Sequence, residues 1–443
     1  MEKLKIQVGS TQIHLSGAEI VAPVKGCRRH PAKDQGETCE EKIDVILHGL
    51  PEVLDDWLKM IEALFSRVSL GEQAFITLKL AANLQSYESK IISASLELLG
   101  KGTMDLKRGG MGASLVIIRD NIWEGEETSV PLTNVNGTKV TSGLTMHNQY
   151  DPGNVMVNFA TIDGVDIDGE IPAPATVKIT NTDMVVLKSL ADIIVSNEII
   201  YNLETGDHWL DGSQASSQLN YGVVMNAAAS CGAYCLVQWE STIGLQIVSW
   251  VISNERAARF AGRNVRPIMR MHNWVTTDDY WIRCKVKQGD AIQYSRWQKI
   301  KSFEKMQILP AVHIPPRDLK SSQISGVIFA LEVQRNVAGS HSLAIDDIDI
   351  LPVDGYRHYF IMGDLGLMPN DNLVDELSED LIYSIEATTQ SRALTHQAAG
   401  KGIWLMPGEN QCIRIKYASN DHGCIPSQKV ALKLSYRPRR KNI

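Results

Sequence analysis

The sequence predicts a mainly β protein: an N-terminal β-barrel or sheet domain with one packed helix, then a jelly-roll β-sandwich, then a C-terminal β unit. Three observations carry this. Apolar and polar residues alternate over many short runs, the period of a half-buried strand. A single long segment, opening at Pro51, carries the three- and four-residue spacing of an amphipathic helix. And 443 residues exceed what one hydrophobic core supports, so several domains are expected.

The first domain is expected over 1–125. "DVILHGL" reads as a strand, and Pro51 opens a helix at a position where its missing N–H costs nothing. Val53, Leu54, Trp57, Leu58, Ile61, Leu64, Phe65 and Val68 form a broad apolar stripe over a helix expected at 51–70, and Gly71 stops it. The strands "QAFITLKL", "KIISASLELLG" and "GASLVIIRD" follow, with the glycine-rich "GKGTMDLKRGGMG" as a hairpin loop between the last two. A helix packed on a curved antiparallel sheet is the simplest architecture for this order.

Residues 126–164 read as a Gly/Asn/Thr-rich connector with a turn at Asn136-Gly137. From 165 to 353 many short strands, from "ATVKITNT" to "HSLAIDDIDILPV", are punctuated by turns, the pattern of a two-sheet jelly roll. Residues 354–443 read as a separate β unit ending in the alternating strand "KVALKLSY". The basic run Arg437, Arg439, Arg440 and Lys441 reads as a solvated tail.

Composition excludes several classes. Apolar residues at 44% and charged residues at 21% describe a globular chain rather than a disordered one. A net charge of −7 argues against general nucleic-acid binding. No run approaches the roughly 18 apolar residues of a membrane span, and MEKLKIQVGS lacks a secretory core, so synthesis in a cytoplasm is expected. Seven cysteines, an odd and irregularly spaced set, need no disulfides. Cys231 and Cys235 lack a second pair. Cys27, His30 and Cys39 offer three zinc ligands with Cys412 or Cys424 far off, short of the two tight pairs of a structural zinc site.

Catalytic motifs are missing. There is no G-x-G-x-x-G, no P-loop, no G-x-S-x-G and no H-E-x-x-H. Ser340, His341 and Asp346 are close in sequence, but triads assemble across a fold. Asp278, Asp279, Asp346, Asp347 and Asp349 could supply a glycosidase pair, as any large sandwich could. The expectation is a protein that is not an enzyme.

The sharper signal is aromatic. Of nine tryptophans, six fall between residues 209 and 297, which directs attention to the middle domain. In "YWIRCKVK", alternation sets Tyr280, Ile282, Cys284 and Val286 on one face and Trp281, Arg283, Lys285 and Lys287 on the other. Trp297 likewise travels with Ser295, Lys299 and Lys301. A tryptophan grouped with cations belongs on a wet face, where it serves either sugar stacking or a neighbouring subunit. Trp281 and Trp297, with Trp274 and Tyr280 nearby in sequence, form the candidate carbohydrate- or partner-binding set, whereas Trp239 and Trp250 read as core.

The long helix after "LHGLPE", the strands "ISASLELLG" and "ASLVIIRDNIWEG", and the closing "YRPRR" resemble the N-terminal domain of siphophage distal tail proteins. That resemblance implies a bacteriophage virion component: a ring of identical subunits, often six, joining tail tube to baseplate and contacting other tail proteins. It also implies a C-terminal sandwich that in some members binds host sugars. Separately, "HSLAIDDIDILP" resembles the last strand of jelly-roll carbohydrate-binding modules, which implies calcium at Asp346 or Asp347. The alternative is a non-catalytic carbohydrate-binding adhesin.

Overall fold

The computed structural model describes residues 3–80, 85–98, 110–149, 157–187, 191–199, 209–212, 215–217, 219–227, 229, 232–240, 244–252, 260–272, 280–300, 306–316, 326–335, 339–362, 366–393, 396–418 and 428–441. The fold is mainly β, built among the described residues from antiparallel sheets and one α-helix, as the patterning predicts. No helix among the described residues is long and apolar enough to cross a membrane. The chain divides into two compact units: Met1–Thr128 with Asp168–Ala173 and Arg437–Ile443, and Ser129–Ile167 with Pro174–Tyr436.

In the first unit the helix α1 spans Pro51–Ser69, and no side chain caps its start. Leu54 instead closes the first turn by donating its N–H to Leu50 O at 3.1 Å. Gly71, at φ +93°, ends the element in a backbone region that favours glycine. Leu54, Trp57, Ile61, Leu64, Phe65 and Val68 are buried, so the apolar stripe is the packed face. Each such side chain contributes about 1.5–3 kcal/mol on burial. The stripe meets a sheet in which Thr11–His14, Lys3–Val8, Ala74–Lys79, Ser86–Leu98, Gly110–Asp120, Thr38–His48 and Val24–Arg29 follow one another.

The stretch from Arg119 to Trp123 has a structural role in this unit. Arg119 and Glu41 are both buried and bond at 2.6 Å, and the Arg119 guanidinium lies 4.3 Å from the Trp123 ring centroid. The C-terminal basic run is not a solvated tail. Arg439–Arg440 adds a strand to Trp123–Glu124. Arg439 bonds Glu124 at 2.5 Å, Arg437 bonds Glu88 at 2.5 Å and Arg440 bonds Asp168 at 2.7 Å. Local composition suggested a tail because the acidic partners lie hundreds of residues upstream.

Among the described residues the second unit contains four sheets. Lys429–Tyr436, Ala173–Asn181, Asn372–Glu376 and Leu381–Ile385 are consecutive in the first. Phe159–Ile162, Gln411–Ala418, Ala191–Ile199, Tyr356–Ile361 and Gln397–Gly400 are consecutive in the second. Arg357 joins these two by bonding Asp375 at 2.9 Å. The third sheet runs Asn220–Met225, Ala233–Trp239, His341–Pro352, Asn264–Met271 and Met306–Ile308; the fourth runs Leu245–Ile252, Val327–Arg335, Tyr280–Gln288 and Ala291–Tyr294. One large core, including Trp239, Trp250, Phe329 and Ile348, fills the space between third and fourth. Ile194, Tyr356 and Ala418 of the second sheet pack on Ile268, Met306 and Leu351 of the third.

This pairing redraws the expected boundaries. Strands of 354–436 share sheets with strands of 129–199, so the C-terminal segment is not a separate unit. The stretch 126–164 is more than a connector: Leu144–His147 pairs with Lys429–Tyr436, and Phe159–Ile162 with Gln411–Ala418. The strands that make up the sandwich carrying the aromatic candidates all fall between residues 209 and 352.

Candidate functional site

The strand Tyr280–Gln288 alternates as its sequence demands. Tyr280, Ile282, Cys284 and Val286 are buried in the core of the sandwich, and Trp281, Arg283, Lys285 and Lys287 point the other way. A two-residue turn follows, with Gly289 at φ +57°, as tight hairpins require. It returns Ala291–Tyr294 alongside, pairing Tyr294 with Lys285 and Ile292 with Lys287. Ser295 then turns inward. Its N–H donates to Cys284 O at 2.9 Å, and its Oγ accepts from Cys284 N at 2.8 Å. The chain re-pairs with Lys299 opposite Trp281.

The outer face is organised around Arg283. Its guanidinium lies 4.1 Å from the Tyr294 ring centroid and 4.5 Å from that of Trp297, within cation–π range of both. Glu332, on the neighbouring strand, accepts from Arg283 Nε at 2.8 Å and approaches Nη2 at 2.6 Å. Lys285 reaches the same carboxylate at 3.5 Å and donates to Gln246 Oε1 at 3.3 Å. Trp281 is 37% exposed and Tyr294 46%. The result is an aromatic surface whose orientation is fixed by one arginine and one carboxylate.

The sequence-predicted residues divide as follows. Trp281 is on the outer face. Trp297 reaches that face too, but it is half-buried and packs beside Gly244, and its neighbour Ser295 is buried rather than wet. Alternation misplaced Ser295 because the chain leaves regular strand geometry there. Tyr280 is a core residue, 3% exposed, with its ring centroid 5.8 Å from that of Trp239, so it does not face a ligand. Trp274, Asp278, Asp279, Cys231 and Cys424 lie outside the described residues. Tyr294 was not singled out from sequence, although its position across the hairpin from Lys285 follows from counting back through Gly289-Asp290.

Asp346 and Asp347 do not fit a calcium site. In His341–Pro352, Leu343 and Ile345 face the core, and so do Ile348 and Ile350. The change of parity comes from a bulge: Arg270 pairs with Asp347 and Met271 with Ile345, leaving Asp346 as the extra residue. Asp347 and Asp349 therefore face the second sheet, where Lys416 bonds Asp347 and lies 2.6 Å from Asp349. Arg270 adds contacts at 3.5 Å to Asp347 and 3.9 Å to Asp346. These carboxylates are engaged by two protein cations. Among the described residues no group of three His, Cys, Asp or Glu side chains could hold a metal ion.

Of the described nucleophile candidates, His341, Cys235 and Cys284 are buried and Ser340 is exposed. His341 is buried against Trp239 and Tyr280. Burial pushes the Cys235 thiol up to about 11 and raises that of Cys284 further, so both remain protonated at neutral pH. The accessible chemistry at the outer face is stacking, hydrogen bonding and charge.

No protein-family model matches the chain, and no curated protein matches it. A solved structure of the phage P2 baseplate in its activated conformation with Ca aligns at 8% identity over 76% of this chain and 99% of that one, with a TM-score of 0.23. The tandem CBM22 domains of a Paenibacillus barcinonensis protein align at 8% identity over 55% of this chain and 97% of that one, with a TM-score of 0.22. The CBM22 and GH10 modules of a Clostridium thermocellum endo-1,4-beta-D-xylanase, complexed with xylohexaose, align at 12% identity over 39% of this chain, with a TM-score of 0.21. The match spans only 27% of that xylanase chain. Likeness at this level decides neither family nor function.

Proposed function

We propose that the chain is a non-catalytic structural protein of a bacteriophage tail, a distal tail or baseplate ring subunit whose sandwich face binds a surface glycan. The observation that carries the recognition half is the outer face of Tyr280–Gln288. There Tyr294 and Trp297 flank Arg283, which Glu332 fixes, and Trp281 lies two residues before it on the same strand face. Flat aromatic surfaces beside hydrogen-bonding groups stack on the apolar faces of sugar rings. The tail half rests on the sequence resemblance, and the helix-on-sheet build of the first unit is consistent with it. On this reading the partners are copies of itself in a ring, a hexamer by resemblance, together with other tail proteins. Its location is the virion, after synthesis in a host cytoplasm.

The test is the mass of the full chain by light scattering, with electron microscopy of the purified protein and its parent particle. A closed ring is expected. A strict monomer at high concentration, with no ring in the particle, refutes the tail assignment. A monomer that still binds glycan leaves the adhesin as the surviving reading. The full chain is needed because the first unit includes segments beyond residue 125.

A further inference from the structure

We infer that the strand Asn220–Met225 pairs with the same strand of a second copy of this chain, antiparallel about a twofold axis at Val223. The inference goes beyond the ring reading. A cyclic ring is built from heterologous contacts, whereas this contact is isologous and joins copies in twos. Asn220–Met225 stands at one end of the third sheet, and among the described residues no strand follows it. Its backbone groups on that side are a template for another strand. Sheet edges are commonly guarded by a charge, a proline, a bulge or a covering element. The edge strand Val24–Arg29 of the first unit is guarded in this way, by Lys25, Arg28, Arg29 and a register shift after Val24. Asn220–Met225 has none of these guards. "NYGVVM" contains no charged residue and no proline, and five of its six residues are exposed. Its pairing with Ala233–Trp239 runs without a register shift, from Asn220 opposite Gln238 to Met225 opposite Ala233.

The exposed side chains continue the sandwich core. Tyr221, Val223 and Met225 pair with Val237, Cys235 and Ala233, so they share the sheet face on which Val237 and Cys235 enter the core. Val237 and Cys235 are fully buried, but Tyr221 is 42% exposed, Val223 47% and Met225 78%. The apolar face therefore runs past the edge of the core into solvent, and a second Asn220–Met225 would extend it. Directly opposite residues of an antiparallel pair lie on one face of the sheet, so only a register that sets apolar against apolar keeps this face continuous. Centring on Val223 does so for all three residues. Val223 meets its own copy, and Tyr221 meets Met225 of the second copy. On the reverse face Gly222 meets Val224, and that face is open at Gly222, where a Cβ would find nothing within 4 Å. The strand is thus its own complement, and with no charge on it nothing repels its copy. Foreign partners are commonly selected by charge, and this strand offers none to read.

The experiment measures the mass of the full chain by light scattering, from micromolar to submillimolar concentration, for the wild type and for Val223→Asp. At the upper end the wild type should have twice the mass of V223D, whether the unit being doubled is a monomer or a closed ring. V223D should keep the wild-type circular dichroism, since the side chain it replaces is half exposed. V223K should behave as V223D does. An equimolar mixture of the two should recover the doubled mass, because the axis sets position 223 against itself. On mild oxidation V223C should form a disulfide-linked dimer far more readily than the wild type or V251C, whose valine is also exposed but lies on the fourth sheet. Equal masses for the wild type and V223D overturn the inference, and a ring of unchanged mass does so while leaving the tail reading intact. Failure of the V223D and V223K mixture to recover the mass overturns the axis at Val223. If both charged variants fail to fold, the V223C cross-link decides, and its absence overturns the pairing. Cross-linking of V223C to a different protein in the parent particle overturns the second copy in favour of a foreign strand.

Discussion

Replacing Lys416 by Met tests the buried charge cluster that joins the second and third sheets. The Lys416 side chain is 4% exposed, and its partners Asp347 and Asp349 are 1% and 4% exposed. Two cations, Lys416 and Arg270, here face Asp346, Asp347 and Asp349. Methionine keeps the length of the lysine stem, so little packing is lost. What remains is three buried carboxylates with one guanidinium. Breaking a buried pair from one side costs about 3–5 kcal/mol, because a charge is stranded without its partner. At about 2–4 °C per kcal/mol for a large domain, the main calorimetric transition of the full chain should fall by roughly 6–20 °C. The penalty should shrink on acidification, since protonating the stranded carboxylates removes the uncompensated charge. Adding Asp347→Asn and Asp349→Asn to the variant should recover much of the loss. A drop worth less than about 1 kcal/mol, unchanged between pH 7 and pH 5, refutes the claim that these groups are buried and mutually compensated.

Four further outcomes are expected. Calcium at millimolar concentration, against chelator, should shift the transition by less than about 1 °C, because Lys416 already bonds one oxygen each of the buried Asp347 and Asp349; a larger shift would restore the calcium reading. Trp281→Ala should change stability by less than about 1 kcal/mol, whereas Trp297→Ala should cost about 1–2 kcal/mol through its lost contact with Arg283, as urea titration would measure. Hydrogen bonding from Ser114 and then His30 holds the Asp44 carboxyl below the usual carboxylate range. Its contribution is thus present at neutral pH and lost as pH falls through that lowered value, so Asp44→Asn should flatten the acid unfolding limb below about pH 4. Arg439→Gln should destabilise the first unit by about 1–2 kcal/mol by removing charge-assisted bonds to Glu124, with earlier proteolysis near residue 124 as the readout.

Local periodicity made the short-range features legible. The helix is one residue shorter than the 51–70 stripe suggests, and the inward and outward faces of Tyr280–Gln288 are as alternation predicts. What it could not carry was long-range partnership. Nothing in "KVALKLSY" says that one neighbour is Ala173–Asn181 and another Leu144–His147. The Asp346 bulge was detectable in principle: Leu343 and Ile345 are odd-numbered and Ile348 and Ile350 even-numbered, so a regular strand cannot bury all four on one face. Reading Asp346 and Asp347 as ligands passed over that signal. Lys416, the residue that engages Asp347, lies 69 positions away and has no marker in sequence. Trp297 was placed on the right face for an incomplete reason, since its position comes from the inward turn at Ser295 and from Arg283 rather than from strand alternation.

The return of Arg439–Arg440 to the sheet that also contains Lys3–Val8 has a mechanical consequence. A tensile load applied between residues 3 and 440 has two routes: along the covalent chain through the second unit, or across the hydrogen-bonded ladder of the first. The ladder is the shorter and stiffer route. It therefore bears the load first, pulled across its strands along the hydrogen bonds, since Lys3 pairs with Lys79, Lys79 with Ser86, Glu88 with Glu124 and Glu124 with Arg439, and the sandwich with its aromatic face stays unstretched until that ladder ruptures. In a force-spectroscopy pull from these two points, the contour length stored in the second unit should be released only after the first rupture. A pull between residues 210 and 350 should bypass that protection altogether.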